Sequence, residues 1–359
     1  MFGGDGRVAW IIPEVPRDLP VGQDDAATAA ILTPVSVGSY LQSRGLVPAG
    51  CTVHVTELGG GVSNAVLGID LDDFSCVVKQ SLPRLRVEEE WLAKRERAVT
   101  EARALALAES LLPEAVPGVL DLDQDRCIFT IERAPLTWRT WKEHLLQGSA
   151  DTAVARHVAS LLATWHMGTR GDEVAEEFAD REGFEQLRIE PYYLAVARAH
   201  PDLAELVDSH VERLLQPGRC VVHGDYSPKN VLVHGQSLWI IDFEVAHFGN
   251  PVFDLAFMLN HLFLKALHRP TAATGYLGCA TAFWRTYVGS VPEELVPDVR
   301  DTLGQVACLM LARVDGKSPA EYLSAIERER ARSLGRELLV DTPERLDEAF
   351  AAVRAFAPS

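Results

Sequence analysis

Residues 220–244 read CVVHGDYSPKNVLVHGQSLWIIDFE. Three short β-branched runs, CVV, VLV and SLWII, are separated by Gly and polar turns, the pattern of brief strands joined by tight loops. Asp225 sits on the loop after the first run, Asn230 follows five residues later, and the last run ends in Asp242, seventeen residues beyond Asp225. Two Asp and one Asn are thus delivered from neighbouring strand ends on a rigid β-hairpin. Such hard oxygen donors suit Mg²⁺, which prefers octahedral oxygen coordination and is usually shared with substrate phosphates. In phosphoryl transfer a separate carboxylate orients the attacking hydroxyl, a role open to Asp225, while Asn230 and Asp242 suit the metal. A lone Asp on a loop is more often a turn former. The joint pattern, H-x-D then N then a strand ending in D-F-E, is rarely produced by chance.

Outward from this stretch, the chain divides in character. Alternation in CTVHVTEL (51–58) and the β-rich FSCVVKQ (74–80) and AVLGIDL (65–71) predict an antiparallel sheet interrupted by the Gly-rich turn GGGVSN (59–64). Residues 88–112, rich in Ala, Leu, Glu and Arg without internal Gly or Pro, predict a long helix. RCIFTIER (126–133) reads as a further strand. Beyond Ala134 helical periodicity dominates, at 138–146, 151–166, 201–215 and much of 270–356. The expected division is an N-terminal extension at 1–34, a first lobe at 35–134 and a second lobe at 135–359.

Composition excludes several classes. Hydrophobic residues make up 47% of the 359 and charged residues 24%, ordinary for a globular chain. With 51 acidic and 34 basic residues the formal charge is −17, which disfavours nucleic acid and anionic membranes as partners. Cationic partners gain only a weak preference. The six cysteines are scattered without a Cys-x-x-Cys pair and read as reduced core residues. The N-terminus lacks a basic start followed by a long apolar stretch, and no segment approaches the ~18 apolar residues of a membrane span. A cytoplasmic location is the expectation. Oligomeric state leaves no mark in the sequence.

HGDYSPKN with IIDFE resembles the catalytic and metal loops of the aminoglycoside phosphotransferase and choline kinase superfamily, whose members share the protein-kinase-like bilobal fold. The resemblance implies an α+β architecture with an antiparallel-sheet N-lobe carrying a helix and a mainly helical C-lobe. It also implies ATP as co-substrate and Mg²⁺ as cofactor. Gly59, Gly60, Gly61, Ser63 and Asn64 resemble the nucleotide-covering loop, although a triple Gly alone is more simply a hairpin turn. Lys79 resembles the strand lysine that binds the α- and β-phosphates. Glu101 is the candidate carboxylate holding it, in competition with Glu88, Glu89, Glu90 and Glu96 on the same predicted helix. TIERAP (130–135), with Glu132 and Ala134, resembles the hinge that receives adenine. Asp254, opening an apolar helix, is by resemblance the brace of the catalytic loop, with helix N-capping as the plain alternative. His223 reads as structural.

The stretch VVKQSLPRLRVEEEWLAKRERAVTEARAL (77–105), with TWRTWKEHLLQG and LRIEPYY, is similar to methylthioribose kinases. Departures follow H-G-D, and Phe243 stands where that family has Pro. Arg313, in LMLARVDGKSP, occupies the place from which those kinases present arginine to the sugar; a helix-end Arg capping carbonyls is the alternative. Three readings follow: a kinase for a sugar or similar alcohol; an antibiotic phosphotransferase, which an acidic groove would favour, with Glu293, Glu294 and Asp298 available for it but equally suited to a solvated helix start; and an inactive binding module. Retention of Lys79, Asp225, Asn230 and Asp242 argues against the last. Metal-dependent phosphate-ester hydrolysis by Asp225 and Asp242 would leave Lys79 and the Gly turn without a task.

Overall fold

In the first lobe, alternating side chains build a sheet with two different faces. The structure, a computed structural model, describes residues 31–59, 63–72, 74–82 and 93–357. From Ile31 onward the chain forms one compact unit. Strands β1 (His54–Glu57), β2 (Asn64–Leu71), β3 (Phe74–Ser81), β4 (Val119–Asp123) and β5 (Ile128–Glu132) form a five-stranded sheet of order β1-β2-β3-β5-β4. Every pairing in it is antiparallel. Leu67, Ile69, Cys76 and Val78 point to one face and pack with Val37, Tyr40 and Leu41 of helix α1 (Val37–Ser43). The intervening Val66, Val77 and Lys79 turn to the opposite face, because successive strand residues alternate sides. Lys79 stands directly across from Val66 on β2 and Phe129 on β5.

Helix α2 (Arg97–Leu111) crosses near the sheet, burying Ala98, Glu101, Ala102, Leu105 and Ala108 on one side. The helix expected from Glu88 therefore begins nine residues later among the described residues. Ala93 and Lys94 are irregular and Arg95 and Glu96 form a turn. Residues 83–92, and with them Glu88, Glu89 and Glu90, lie outside the described residues, as does most of the expected 1–34 extension. Strand β4 was not anticipated, since VLDLD alternates over only five residues.

The second lobe is mainly helical, as expected. Helices α3 (Trp141–Leu146) and α4 (Thr152–Gly168) lead to a ten-residue π-helical segment, Glu185–Leu194, containing Pro191. The Val252–His268 helix is buried from Val252 to Leu267 and is packed by the Ala273–Val288, Val299–Asp315, Ala325–Val340 and Leu346–Phe356 helices. A helix buried on all sides is a core element, and here it forms the central post. The small strands of the deciding stretch divide between two ribbons. Strands β8 (Val231–His234) and β9 (Ser237–Ile240) form the hairpin, joined by β6 (Arg139–Thr140). β7 (Cys220–Val222) pairs instead with β10 (His247–Gly249). Asp225 thus leaves a different ribbon from the one carrying Asn230 and Asp242, correcting the single-hairpin expectation. Five cysteines are buried, Cys51 is half-buried, and all are free. Among the described residues no helix is long and apolar enough to cross a membrane.

Candidate active site

The loop after β7 is shaped first by Gly224. Its φ is +75°, and a Cβ there would lie 2.7 Å from Val245 Cγ2 and 2.8 Å from the Val245 carbonyl oxygen, so only glycine fits. Asp254 fixes the same turn: its carboxylate accepts the His223 N–H at 2.7 Å and the Gly224 N–H at 2.9 Å. His166 on α4 lies 3.1 Å from it, with Tyr287 behind at 2.8 Å. Burial opposes the charge of Asp254, but the bonds from His166 and the loop amide hold it below the usual carboxylate range. Asp254 is the third residue of its helix, whose N-cap is Pro251, so its carboxylate braces the loop rather than capping the helix. His223 Nδ1 accepts the Asp225 N–H at 3.1 Å, which assigns the ring proton to Nε2, 3.1 Å from the Ile241 carbonyl. That ring ties the two ribbons together, and burial keeps it below its ordinary pKa.

Three donors converge on one oxygen of Asp225. Oδ2 lies 2.9 Å from Lys229 Nζ, 2.9 Å from Asn230 Nδ2 and 3.1 Å from an Arg188 guanidinium nitrogen. Among the described residues no hydrogen bond reaches Oδ1, and Asp225 lines the cleft between the lobes. Arg188 also donates to the Gly224 carbonyl at 2.7 Å. Because Asn230 Nδ2 is used on Asp225, its Oδ1 is the atom left for another partner.

Across the cleft, Lys79 Nζ lies 2.6 Å from Glu101 Oε1 and 2.8 Å from Asp242 Oδ1. Burial opposes the ammonium charge, yet Asp242, Glu101 and Glu244 outweigh it and raise the pKa of Lys79. Burial likewise opposes the charge of Asp242, but Lys79 and Lys229 hold it below the usual carboxylate range. Asp242 adopts φ +74°, a left-handed conformation uncommon outside glycine and tolerated best by Asn and Asp. Glu244 closes the cleft's inner end, accepting from Ser63 Oγ at 2.8 Å, Asn64 Nδ2 at 2.9 Å and Arg97 Nε at 3.1 Å.

The cleft has a volume of about 1020 Å³. Gly59, Ser63, Asn64, Lys79, Glu101, Glu132, Ala134, Asp225, Asn230, Asp242 and Arg313 all line it. His223 and Asp254 lie behind it, and Gly60 and Gly61 lie outside the described residues. Ser63 and Asn64 turn their side chains to Glu244, and the Glu132 carboxylate accepts the Gly118 N–H at 3.0 Å. The Ala134 N–H, just past β5, makes no hydrogen bond among the described residues. Arg313 bonds Ser318 Oγ at 2.8 Å, beyond the end of its helix rather than on that helix's own carbonyls, and lines the cleft. Glu293, Glu294 and Asp298 do not line the cleft, so of their two sequence readings the acidic groove is not formed there. Glu294 pairs with Arg170, and Asp298 caps the Val299–Asp315 helix.

The sequence profile of the phosphotransferase enzyme family, APH, matches residues 54–287. The chain belongs to that family. Methylthioribose kinases of Bacillus cereus (strain G9842) and Bacillus thuringiensis (strain Al Hakam) are 23% identical to it, the alignment covering 86% of this chain and 92% of each relative. Among solved structures, a choline/ethanolamine kinase family protein from Mesorhizobium loti aligns with a TM-score of 0.50 at 17% identity, over 90% of this chain and 100% of its own. An amicoumacin kinase, solved with AMP-PNP and Ca²⁺, aligns at 0.52 and 16% identity, over 87% and 96%. These likenesses agree with the bilobal kinase-like fold.

Sequence reasoning about this phosphotransferase missed Arg188, Lys229, Arg97 and the Glu244 hub. Arg188 comes from the π-helical segment, some forty residues before Asp225. Glu101 did carry a signal, because it falls in the Ala98, Ala102, Leu105, Ala108 stripe that the helix buries. The oxygens of Asn230 and Asp242 fit a magnesium ion that takes its remaining ligands from phosphate and water. Among the described residues no cluster of three or more His, Cys, Asp or Glu is arranged to hold a metal unaided.

Proposed function

We propose that the chain transfers the γ-phosphoryl group of ATP to a hydroxyl of a small, sugar-like alcohol, directly and without a phospho-enzyme. The observation that carries this reading is the asymmetry of Asp225, with Oδ2 fixed by three donors and Oδ1 left to accept a hydroxyl proton. Adenine fits between Val66 and Val77 above and Leu232 and Ile241 below, with the Ala134 N–H as a donor. Lys79, steadied by Glu101, grips the phosphates. Asn230 and Asp242 would hold Mg²⁺, which neutralises phosphate charge. Asp225 aligns the acceptor; a loose transition state asks chiefly for positioning rather than for a strong base. Similarity to methylthioribose kinases and the position of Arg313 support a sugar-like acceptor.

The test is ADP release with Mg-ATP across pentoses, methylthioribose, other deoxy sugars, choline and aminoglycosides, with Asp225→Asn as blank. Acceptor-stimulated turnover that the variant lacks supports the reading. Turnover equal in both proteins would remove Asp225 from the mechanism.

A further inference from the structure

The formal charge of the chain is −17, yet the acceptor end of the cleft concentrates cations. Arg188 and Lys229 are committed to Asp225. Deeper in the second lobe, Lys142 on α3 and Arg313 share a single carboxylate, Glu321, whose side chain is exposed; Arg313 reaches it only at 4.0 Å. The other acidic residue beside them, Glu143, is engaged by the Thr140 N–H at 2.8 Å and hydroxyl at 3.0 Å at the start of α3.

Behind this pair lies Lys265, 1% exposed. Among the described residues no carboxylate stands within 4.0 Å of its Nζ. Its one hydrogen bond is a long 3.4 Å contact to the His261 carbonyl, and the Tyr322 ring lies 5.3 Å away. Phe257, His261 and Lys265 are spaced by four on the central helix, so they share one face, and Phe257 and His261 reach the cleft wall. Burial, with Lys142 and Arg313 nearby, pushes the Lys265 amine down to about 7, against a weaker opposing pull from Glu321. The same surroundings, burial first and then Lys265, Arg313, Lys229 and Lys142, hold His261 well below its ordinary value. A buried amine without a partner is expensive, and fixed cations around it make the site attractive to an anion and repellent to an ammonium.

We propose that the acceptor alcohol carries an anionic group, a carboxylate or a phosphate, received by Lys142 and Arg313 with Lys265 behind them. This rests on the phosphotransfer reading for the hydroxyl, while the charge preference stands on the pocket itself. It also turns the acidic composition around: the excess negative charge lies elsewhere, and the one place where substrate must bind is cationic.

The test is titration of the full chain, its nucleotide site filled with Mg-AMP-PNP, with ribose, ribonate, ribose 5-phosphate and glucosamine, alongside ADP release from each with Mg-ATP. One anionic probe should bind at least tenfold tighter than ribose, and whichever does so identifies carboxylate or phosphate as the group. Lys142→Gln, on the cleft rim, and Lys265→Met should each reduce that preference about tenfold, the scale of one charge-assisted hydrogen bond, without changing AMP-PNP affinity. Ribose or glucosamine binding as tightly as both anions, failure of both anions to bind, or a preference unmoved in both variants overturns the proposal. Anion binding without ADP release from any acceptor would instead overturn the kinase reading and leave the anion site standing.

Discussion

Asp225 has two unequally bonded oxygens, and its proposed role rests on that difference. Replacing it with Asn keeps the shape but puts an amide where Arg188, Lys229 and Asn230 all donate, so the group can no longer hold its free oxygen toward an acceptor. Turnover of Asp225→Asn should fall by about 10²- to 10⁴-fold, the usual range for a lost acid–base group, with AMP-PNP affinity nearly unchanged. ADP-release rates beside nucleotide titration check this, and a variant retaining full turnover would contradict it. Lys265 offers a second test at the same scale. Its folded-state pKa of about 7 lies below the ordinary lysine value, so between these limits the unfolded chain binds more protons and stability rises with pH. Lys265→Met removes a buried amine and should raise stability at pH 7 by on the order of 1–3 kcal/mol. That advantage should shrink as pH rises toward 10. Urea midpoints at pH 7 and 9.5 measure it; a Met variant less stable than the parent at both values would show that the amine is structurally required.

At the scale of elements, the loop between β7 and β8 is held by a helix remote from it in sequence. Asp254 lies on the Val252–His268 helix and satisfies two loop amides and His166 together. Asp254→Ala leaves these donors buried without partners, a loss of about 3–5 kcal/mol by analogy with broken buried charge networks. A fall in the urea midpoint, with the slope preserved, is the expected result. An unshifted midpoint would mean that the loop holds itself. The sequence offered this brace as an Asp opening an apolar run and, by resemblance, as the support of the catalytic loop; its partner His166 was not legible. The spacing of Asp225, Asn230 and Asp242 was legible because all three lie within eighteen residues, where local turns dictate position. Arg188 was not, because it reaches Asp225 through a π-helical turn that leaves no 3.6-residue periodicity, and its partner is distant in the chain. The described residues just before α2, 93–96, were misread for a related reason: they have the composition of a helix but are irregular or turn, and propensity is a weak prior against tertiary context.

For the whole molecule, the cleft is where the two lobes meet chemically. Lys79, paired with Glu101 in the first, bonds Asp242 of the second, and Glu244 of the second accepts from Ser63 and Asn64 of the first. The sequence conveyed Lys79, Glu101 and Asp242 but neither the Glu244 hub nor the charge at the far end of the cleft, because net charge averages over a surface while Lys142, Lys265 and Arg313 are gathered by folding. Nucleotide bound across such a cleft must stabilise both lobes, and under the proposed metal-holding role of Asn230 and Asp242 that stabilisation depends on a metal. At one hundred times its dissociation constant, Mg-AMP-PNP should add about 2.7 kcal/mol to the unfolding free energy and raise Tm by several degrees. EDTA should remove most of this gain. Asp242→Asn should behave in Mg²⁺ as the parent does in EDTA, and since Asn tolerates φ +74°, the substitution tests the carboxylate rather than the backbone. Thermal melts of both proteins with AMP-PNP, with and without Mg²⁺, decide the matter. If the nucleotide stabilises the parent equally in EDTA, or if Asp242→Asn keeps the full magnesium-dependent gain, Asp242 does not hold the metal and the phosphates are managed by Lys79 alone.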